Sequence, residues 1–119
     1  MKDKITNEGD NLWVMRVSGL LKKSEVDAAQ KYLWSQVSPG TKVRQLVLLT
    51  NFAGWEKSEA WNDMSNLENH GDDFERIAVV GDSKWETEGL MFLGAGLRKT
   101  DIRFFPPEGE NAARAWLKS

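Results

Sequence analysis

The stretch that decides the fold is Arg76-Ile77-Ala78-Val79-Val80-Gly81-Asp82-Ser83-Lys84-Trp85-Glu86. Residues 77–80 form a short apolar run rich in β-branched side chains, which is typical of a strand covered on both faces. Gly81 and Asp82 close that strand, and Ser83 to Glu86 match a capping box that opens a helix. The stretch therefore predicts a buried strand that leads directly into a helix, the unit from which α/β sheets are built.

Strand patterns recur before and after this stretch. Leu12–Val17 is rich in β-branched and aromatic residues. The turn at Glu8–Asn11 allows Lys4–Asn7 to pair with that strand as a hairpin. Val43–Thr50 and Asp101–Phe105 predict two further strands, of which the first ends in a continuous apolar run.

About four helices separate or follow these strands. They are predicted from directly after Ser24 to Val37, at Ser58–Asn69, at Ser83–Leu97 and, as a short final helix, at Asn111–Leu117. Phe52-Ala53-Gly54-Trp55 predicts a loop. The order β-β-α-β-α-β-α-β-α implies parallel pairing after an initial hairpin. We therefore expect one α/β domain over residues 1–119, with a mixed sheet and helices packed around it.

Composition excludes several classes of protein. The 119 residues are 40% hydrophobic and 29% charged, carry a formal net charge of −2 and include no cysteine. Without a basic stripe we expect no nucleic-acid partner. Without cysteine there is no disulfide, thiolate nucleophile or cysteine-bound metal, which fits a cytoplasmic location. The N-terminus lacks an apolar secretion signal, and the longest apolar stretch, Gly89–Leu97, is shorter than the roughly 20 residues of a membrane helix.

The chain resembles the SpoIIAA-like proteins, small bacterial proteins grouped with the STAS domains, the family of anti-sigma-factor antagonists. The segments that carry the resemblance are Phe52–Trp55, Asp73–Asp82, Lys84-Trp85, Arg103–Pro106 and Ala115–Leu117. The resemblance covers essentially the whole chain and implies a STAS-type fold. It implies less about function, because this branch of the family has no generally assigned activity. Antagonists proper are switched by phosphorylation of a serine within an Asp-Ser-Ser/Thr-Gly run, at the start of the helix after the middle strand. Here the corresponding stretch, Thr50–Ser58, lacks that run, and Ser58 is the serine nearest the switch position.

No catalytic set stands out in the sequence. The single histidine, His70, precedes Gly71, and the pair is typical of a helix C-terminus. No Gly-x-Ser-x-Gly nucleophile elbow and no glycine-rich phosphate loop is present. We therefore expect no catalytic residue, metal site or cofactor. The alternative is a small enzyme that uses carboxylates near the loop edge, with the candidates Glu56, Glu59, Asp63 and Asp82.

Two tryptophans mark the best candidate binding site. Trp55 and Trp85 both follow carboxyl ends of parallel strands, the edge at which ligands usually bind in open α/β sheets. Together with Phe52 and Met91 they predict an apolar pocket or a partner groove. The alternative is a loop held onto the helix by its own aromatic residues. Ser83 lies at a helix N-terminus that suits an anion, but plain capping is the favoured alternative, because Ser83 and Glu86 can satisfy the free N–H groups and Asp82 would repel an anion.

The predicted helix from Ser83 to Leu97 has no polar side chain after Glu88. A surface helix normally keeps a polar stripe, so something other than its own sheet should cover one side of this segment. A neighbouring helix, a second copy in a homodimer, or an apolar ligand or membrane surface would each do so. We predict that Met91 or Phe92 lies in an interface or a ligand cleft.

The sequence thus favours a non-enzymatic binding or regulatory module of STAS type. It would act through protein–protein contacts or through a small apolar ligand.

Overall fold

A computed structural model of the chain describes residues 5–9, 11–38, 40–57, 74–93 and 100–119, without the side chains of residues 92 and 93. A five-stranded mixed sheet lies at its centre. The strands are β1 (Ile5–Asn7), β2 (Leu12–Leu21), β3 (Val43–Trp55), β4 (Phe74–Val80) and β5 (Asp101–Phe105). They lie side by side in sequence order; β1 and β2 pair antiparallel and every later pair is parallel. The predicted hairpin followed by parallel strands is confirmed.

Three α-helices pack on this sheet within the described ranges. They are α1 (Lys23–Gln36), α2 (Glu86–Leu93) and α3 (Glu110–Lys118), and a 3-10 turn precedes each of the last two. The sequence predicted about four helices; the one placed at Ser58–Asn69 lies outside the described residues. None of the described helices is both long and apolar enough to span a bilayer.

Each face of the sheet carries its own apolar core, because side chains alternate along a strand. On one face the buried residues of β2, β3 and β4 meet α1, through Ala29 and Leu33. On the other face a second set meets α3, through Ala113 and Leu117. The alternation is plain in β2, where Trp13, Met15 and Val17 face α1 while Leu12 and Val14 face α3.

α3 buries only a narrow stripe of its apolar residues. These residues include Ala112, Ala115, Trp116 and Leu117. In the structure Ala112 and Ala115 are exposed, while Ala113 and Leu117, one helical turn apart, are fully buried. Trp116 is half-buried beside them.

The segment from Phe52 to Trp55, predicted as a loop, is the end of β3. It is a strand because β2 runs on to Leu21 and supplies partners: Gly19 pairs with Phe52 and Leu21 with Trp55. The register shifts on either side of Gly19, as at a β-bulge. Asn51 (φ 51°) and Gly54 (φ 105°) absorb the irregularity on the β3 side.

A carboxylate from a distant part of the sequence accepts a hydrogen bond at the start of α1. Ser24 was expected to precede this helix, but it is the second helical residue, and the N-cap residue Lys22 makes no side-chain cap hydrogen bond. Instead the Lys23 backbone N–H donates to a carboxylate oxygen of Glu56 at 2.6 Å. The end of β3 is therefore tied to the beginning of α1.

Candidate functional site

A cleft of about 480 Å³ opens where β4 ends and β3 continues past it. From β3 it is lined by Leu48, Leu49, Thr50, Asn51 and Phe52. From β4 and the turn after it the lining residues are Val80, Asp82, Lys84 and Trp85. Pro107 lines it from the 3-10 turn before α3, and Glu110 from the first position of α3. The volume falls within the roughly 300–1,000 Å³ range of small-molecule sites. The position is the carboxyl edge, where open α/β sheets bind ligands.

Unequal strand lengths create this cleft. The pairing of β3 with β4 stops at Leu48 and Val80. Beyond that point no strand of the described residues pairs with this side of β3, from Leu49 onward. The backbone groups there can bind a ligand in the way they would bind a neighbouring strand.

Gly81 sets how closely the end of β4 approaches β3. A Cβ atom added at Gly81 would lie 2.9 Å from both Cβ and Cδ1 of Leu49, closer than carbon atoms pack. The Gly81 backbone N–H also donates to the carbonyl of Phe105 at 3.0 Å. Glycine therefore allows the turn that forms one wall of the cleft to lie against the sheet.

Three aromatic rings form one wall and its support. The ring centroids of Phe52 and Trp55 are 5.0 Å apart, those of Phe52 and Trp85 5.0 Å, and those of Trp55 and Trp85 5.9 Å. All three contacts are edge-to-face, a geometry that stabilises by about 0.5–1.5 kcal/mol per pair beyond burial. We call Phe52, Trp55 and Trp85 the aromatic cluster; it joins the end of β3 to the turn before α2.

The charged groups at the cleft already have partners within the fold. The Asp82 carboxylate accepts the backbone N–H of Lys84 at 3.0 Å, and the Lys84 ammonium lies 5.4 Å from the ring centroid of Trp85. Glu110 accepts a hydrogen bond from Arg114 at 2.9 Å. Arg114 also donates to Glu8, and this hydrogen bond raises the pKa of Arg114 above its ordinary value. Asp82, Lys84 and Glu110 therefore each contact another group of the fold.

Comparison with protein families gives one match, to the SpoIIAA-like family over residues 12–118. This chain belongs to the SpoIIAA-like family. The match runs from the first residue of β2 to the last residue of α3, so it includes the whole cleft. The resemblance inferred from the sequence is confirmed.

A solved structure shows the same fold. It is an uncharacterised protein from Shewanella loihica with a SpoIIAA-like fold, 22% identical to this SpoIIAA-like chain, with a TM-score of 0.68. The alignment covers 95% of this chain and 90% of the other. No curated protein matches this chain.

The structure brings together three of the residues predicted at the site. Phe52, Trp55 and Trp85 are in mutual contact, and Phe52 and Trp85 line the cleft. They meet because β3 continues beyond the end of β4, so that its last residues lie beside the turn that follows β4. Whether a ligand binds them stays a prediction.

Ser83 has a different role from the one expected. The capping box assigned the cap to the Ser83 hydroxyl, but the cap is the carboxylate of Asp82, one residue earlier. A 3-10 turn then precedes α2, and the Glu86 backbone N–H donates to the Ser83 carbonyl. Ser83 is exposed beside the cleft and does not line it.

Met91 does not join the aromatic cluster. Met91 is 76% exposed on α2 and does not line the cleft. The side chain of Phe92 lies outside the described residues, as do Ser58 and His70. Gly89 does face the sheet, as predicted, with the Phe104 ring next to it.

Sequence reasoning missed most of the polar lining. Thr50 was predicted as the last residue of a strand, and Asn51 was assigned to no element; neither was predicted to line a cleft. Pro107 and Glu110 reach the cleft from the last connection of the chain. A signal for Thr50 and Asn51 was present, since polar residues directly after an apolar parallel strand lie at the ligand-binding edge.

The proposed catalytic carboxylates are not assembled in the part of the chain that the structure describes. Glu56 bonds the backbone of α1 and does not line the cleft, whereas Asp82 caps the turn before α2. Glu59 and Asp63 lie outside the described residues. Among the described residues, no group of three or more metal-binding side chains comes together.

Proposed function

We propose that this chain is a non-enzymatic binding module of STAS type whose cleft takes a small, largely apolar molecule. The observation that carries the proposal is the cleft of about 480 Å³ with the aromatic cluster in its wall. Leu49 and Val80 add apolar surface, which supplies binding free energy when it is removed from water. The backbone of β3 beyond Leu48 and the hydroxyl of Thr50 would orient the ligand.

A pair of matched variants tests this proposal. Thr50→Trp places a large ring at the mouth of the cleft, whereas Thr6→Trp makes the same exchange on the exposed edge strand β1. The wild type is screened by thermal shift against a library of lipids and aromatic metabolites. A ligand at 100 times its Kd stabilises by about 2.7 kcal/mol.

We expect hits that stabilise the wild type and Thr6→Trp alike and that lose their effect in Thr50→Trp. Hits that stabilise Thr50→Trp as strongly as the wild type would place binding elsewhere and refute the proposal. Consumption of a hit compound by the purified protein would favour the enzyme alternative instead.

Protein contact is the second candidate function, favoured by the exposure of Met91. A large apolar side chain that is 76% exposed on a helix suits a contact with a protein partner or with a second copy of the chain. Sedimentation of the wild type and of Met91→Glu distinguishes these cases. If the wild type is a dimer and Met91→Glu is a monomer, Met91 mediates self-association. If both are monomers, a contact at Met91 would be with a different protein.

Two further parts of the proposal concern regulation and location. Phosphorylation of Ser58 would add negative charge just after β3; a phosphate on Ser58 and altered partner binding by Ser58→Glu are the expected observations. A cytoplasmic location in a bacterium is supported by the absence of cysteine from the sequence. Fractionation of cells that express a tagged chain checks the location.

A further inference from the structure

Two arginine side chains contact one tryptophan ring on the face of the sheet that α3 covers. The guanidinium carbon of Arg76 lies 5.2 Å from the ring centroid of Trp116, and that of Arg103 lies 5.0 Å from it. Trp116 is half-buried against Phe105, whose ring centroid is 6.0 Å away. The ring therefore packs against the core and also makes cation–π contacts with two guanidinium groups.

Arg76 is the fixed member of this group. One of its terminal nitrogens donates to the carbonyl of Trp116 at 2.5 Å and to the hydroxyl of Ser119 at 2.6 Å. It thereby satisfies a carbonyl in the last turn of α3, where a positive charge is favourable. Arg76 positions Trp116 and, through it, Arg103.

Arg103 is exposed, and its guanidinium carbon lies over the Trp116 ring. Within the described residues it makes no ion pair and no hydrogen bond from its side chain. Asp101 stands opposite Arg76 in the strand register, yet it forms no ion pair with either arginine. A guanidinium stacked on an aromatic ring keeps its planar edge free for two parallel hydrogen bonds to a carboxylate.

We propose that Arg103, held by Trp116 and Arg76, binds a carboxylate side chain in an acidic segment of a partner protein. Charge complementarity decides the occupant. The two arginines and Asp101 together carry one net positive charge, which matches a single carboxylate better than a doubly charged phosphate. This surface lies apart from the cleft, because none of its residues lines the cleft.

The test follows the indole N–H signal of Trp116 by NMR while peptides are added. The probe is a pentapeptide of alternating Gly and Asp, and the control peptide has Asn in place of Asp. We expect a saturable shift with the acidic peptide alone, which weakens as salt is raised because exposed charges are screened.

Three variants locate the binding group. Arg103→Gln should weaken peptide binding about fivefold, the order expected for an exposed ion pair. Arg103→Lys keeps the charge but lacks the planar guanidinium, so its affinity for the peptide should lie between those of the wild type and Arg103→Gln. Lys31→Gln removes a similar exposed charge from α1, on the opposite face, and should bind like the wild type.

Several outcomes would overturn the proposal. They are equal shifts with both peptides, unchanged binding by Arg103→Gln, and equal loss in Lys31→Gln. Tighter binding of inorganic phosphate than of the acidic peptide would also overturn it, since the occupant would then not be a carboxylate. Unchanged backbone signals in Arg103→Gln establish that the variant is folded.

Discussion

Replacing Gly81 by alanine tests the packing that forms the wall of the cleft. The added Cβ would lie 2.9 Å from both Cβ and Cδ1 of Leu49, and the Leu49 backbone belongs to the central strand β3. Gly81 does not lie in the left-handed region, so the conflict is steric and not conformational. Overpacking costs about 1–3 kcal/mol, and the loss of chain freedom in the unfolded state returns about 0.4–1 kcal/mol. We expect a net destabilisation of about 1–2 kcal/mol.

Gly89→Ala is the matched control with the opposite expected sign. Gly89 is buried in α2, but its added Cβ would lie 3.7 Å from Cε2 of Phe104, an ordinary contact. Alanine is favoured over glycine inside a helix by roughly 0.5–1 kcal/mol. The two variants therefore make the same chemical change in two buried glycines that differ in the space around them.

Urea unfolding followed by tryptophan fluorescence measures both changes in the free energy of unfolding. At this chain length a change of 1 kcal/mol moves Tm by about 3–6 °C. Gly81→Ala should unfold at a lower urea concentration than the wild type, and Gly89→Ala at a higher one. Equal stability of Gly81→Ala and Gly89→Ala would refute the inference that Gly81 packs too closely against Leu49 to accept a Cβ atom.

Three further predictions concern the turn before α2, the aromatic cluster and α3. Asp82→Ala removes the cap of the 3-10 turn and should cost about 1 kcal/mol in urea unfolding, whereas Asp82→Asn should retain most of it. Trp85→Ala should cost about 2–3 kcal/mol, because the half-buried ring loses contacts to Phe52 and Trp55; Trp85→Phe should cost less than half of that. Arg114→Gln should cost about 0.5–1 kcal/mol. Because folding raises the pKa of Arg114, the stabilisation by this side chain is fully present below its pKa in the unfolded state and is lost only as the pH rises through its pKa in the folded state. The difference in stability between the wild type and Arg114→Gln should therefore not change through titration of Arg114 between about pH 7 and 10, which unfolding at several pH values in this range checks.

The local patterns of the sequence predicted the sheet well. Alternation and apolar runs located all five strands, and the sequential β-α order predicted the parallel pairing that the structure confirms. The contact between Trp55 and Trp85 could also be predicted, since the sequence placed both residues at the carboxyl edge of the sheet. These properties depend on short-range periodicity or on a general rule of sheet topology.

Features that depend on distant partners could not be predicted in this way. Phe52 to Trp55 looks like a loop until β2 supplies the strand beside it. The contact between Glu56 and the Lys23 backbone joins residues 33 positions apart, so no pattern within a helix reveals it. The capping-box prediction was wrong for a different reason. Asp82 stands one residue before Ser83, and its carboxylate accepts the Lys84 backbone N–H, so that Asp82 is the cap in place of Ser83.

The sequential order of the strands has a consequence for how the protein is made. Each strand pairs with the one synthesised just before it, so the sheet can lengthen strand by strand as the chain leaves the ribosome. The face opposite α1 is different, because α3, which covers it, follows all five strands in the sequence. Leu46 and Ala78 would therefore remain open to water, and to other nascent chains, until α3 has been synthesised.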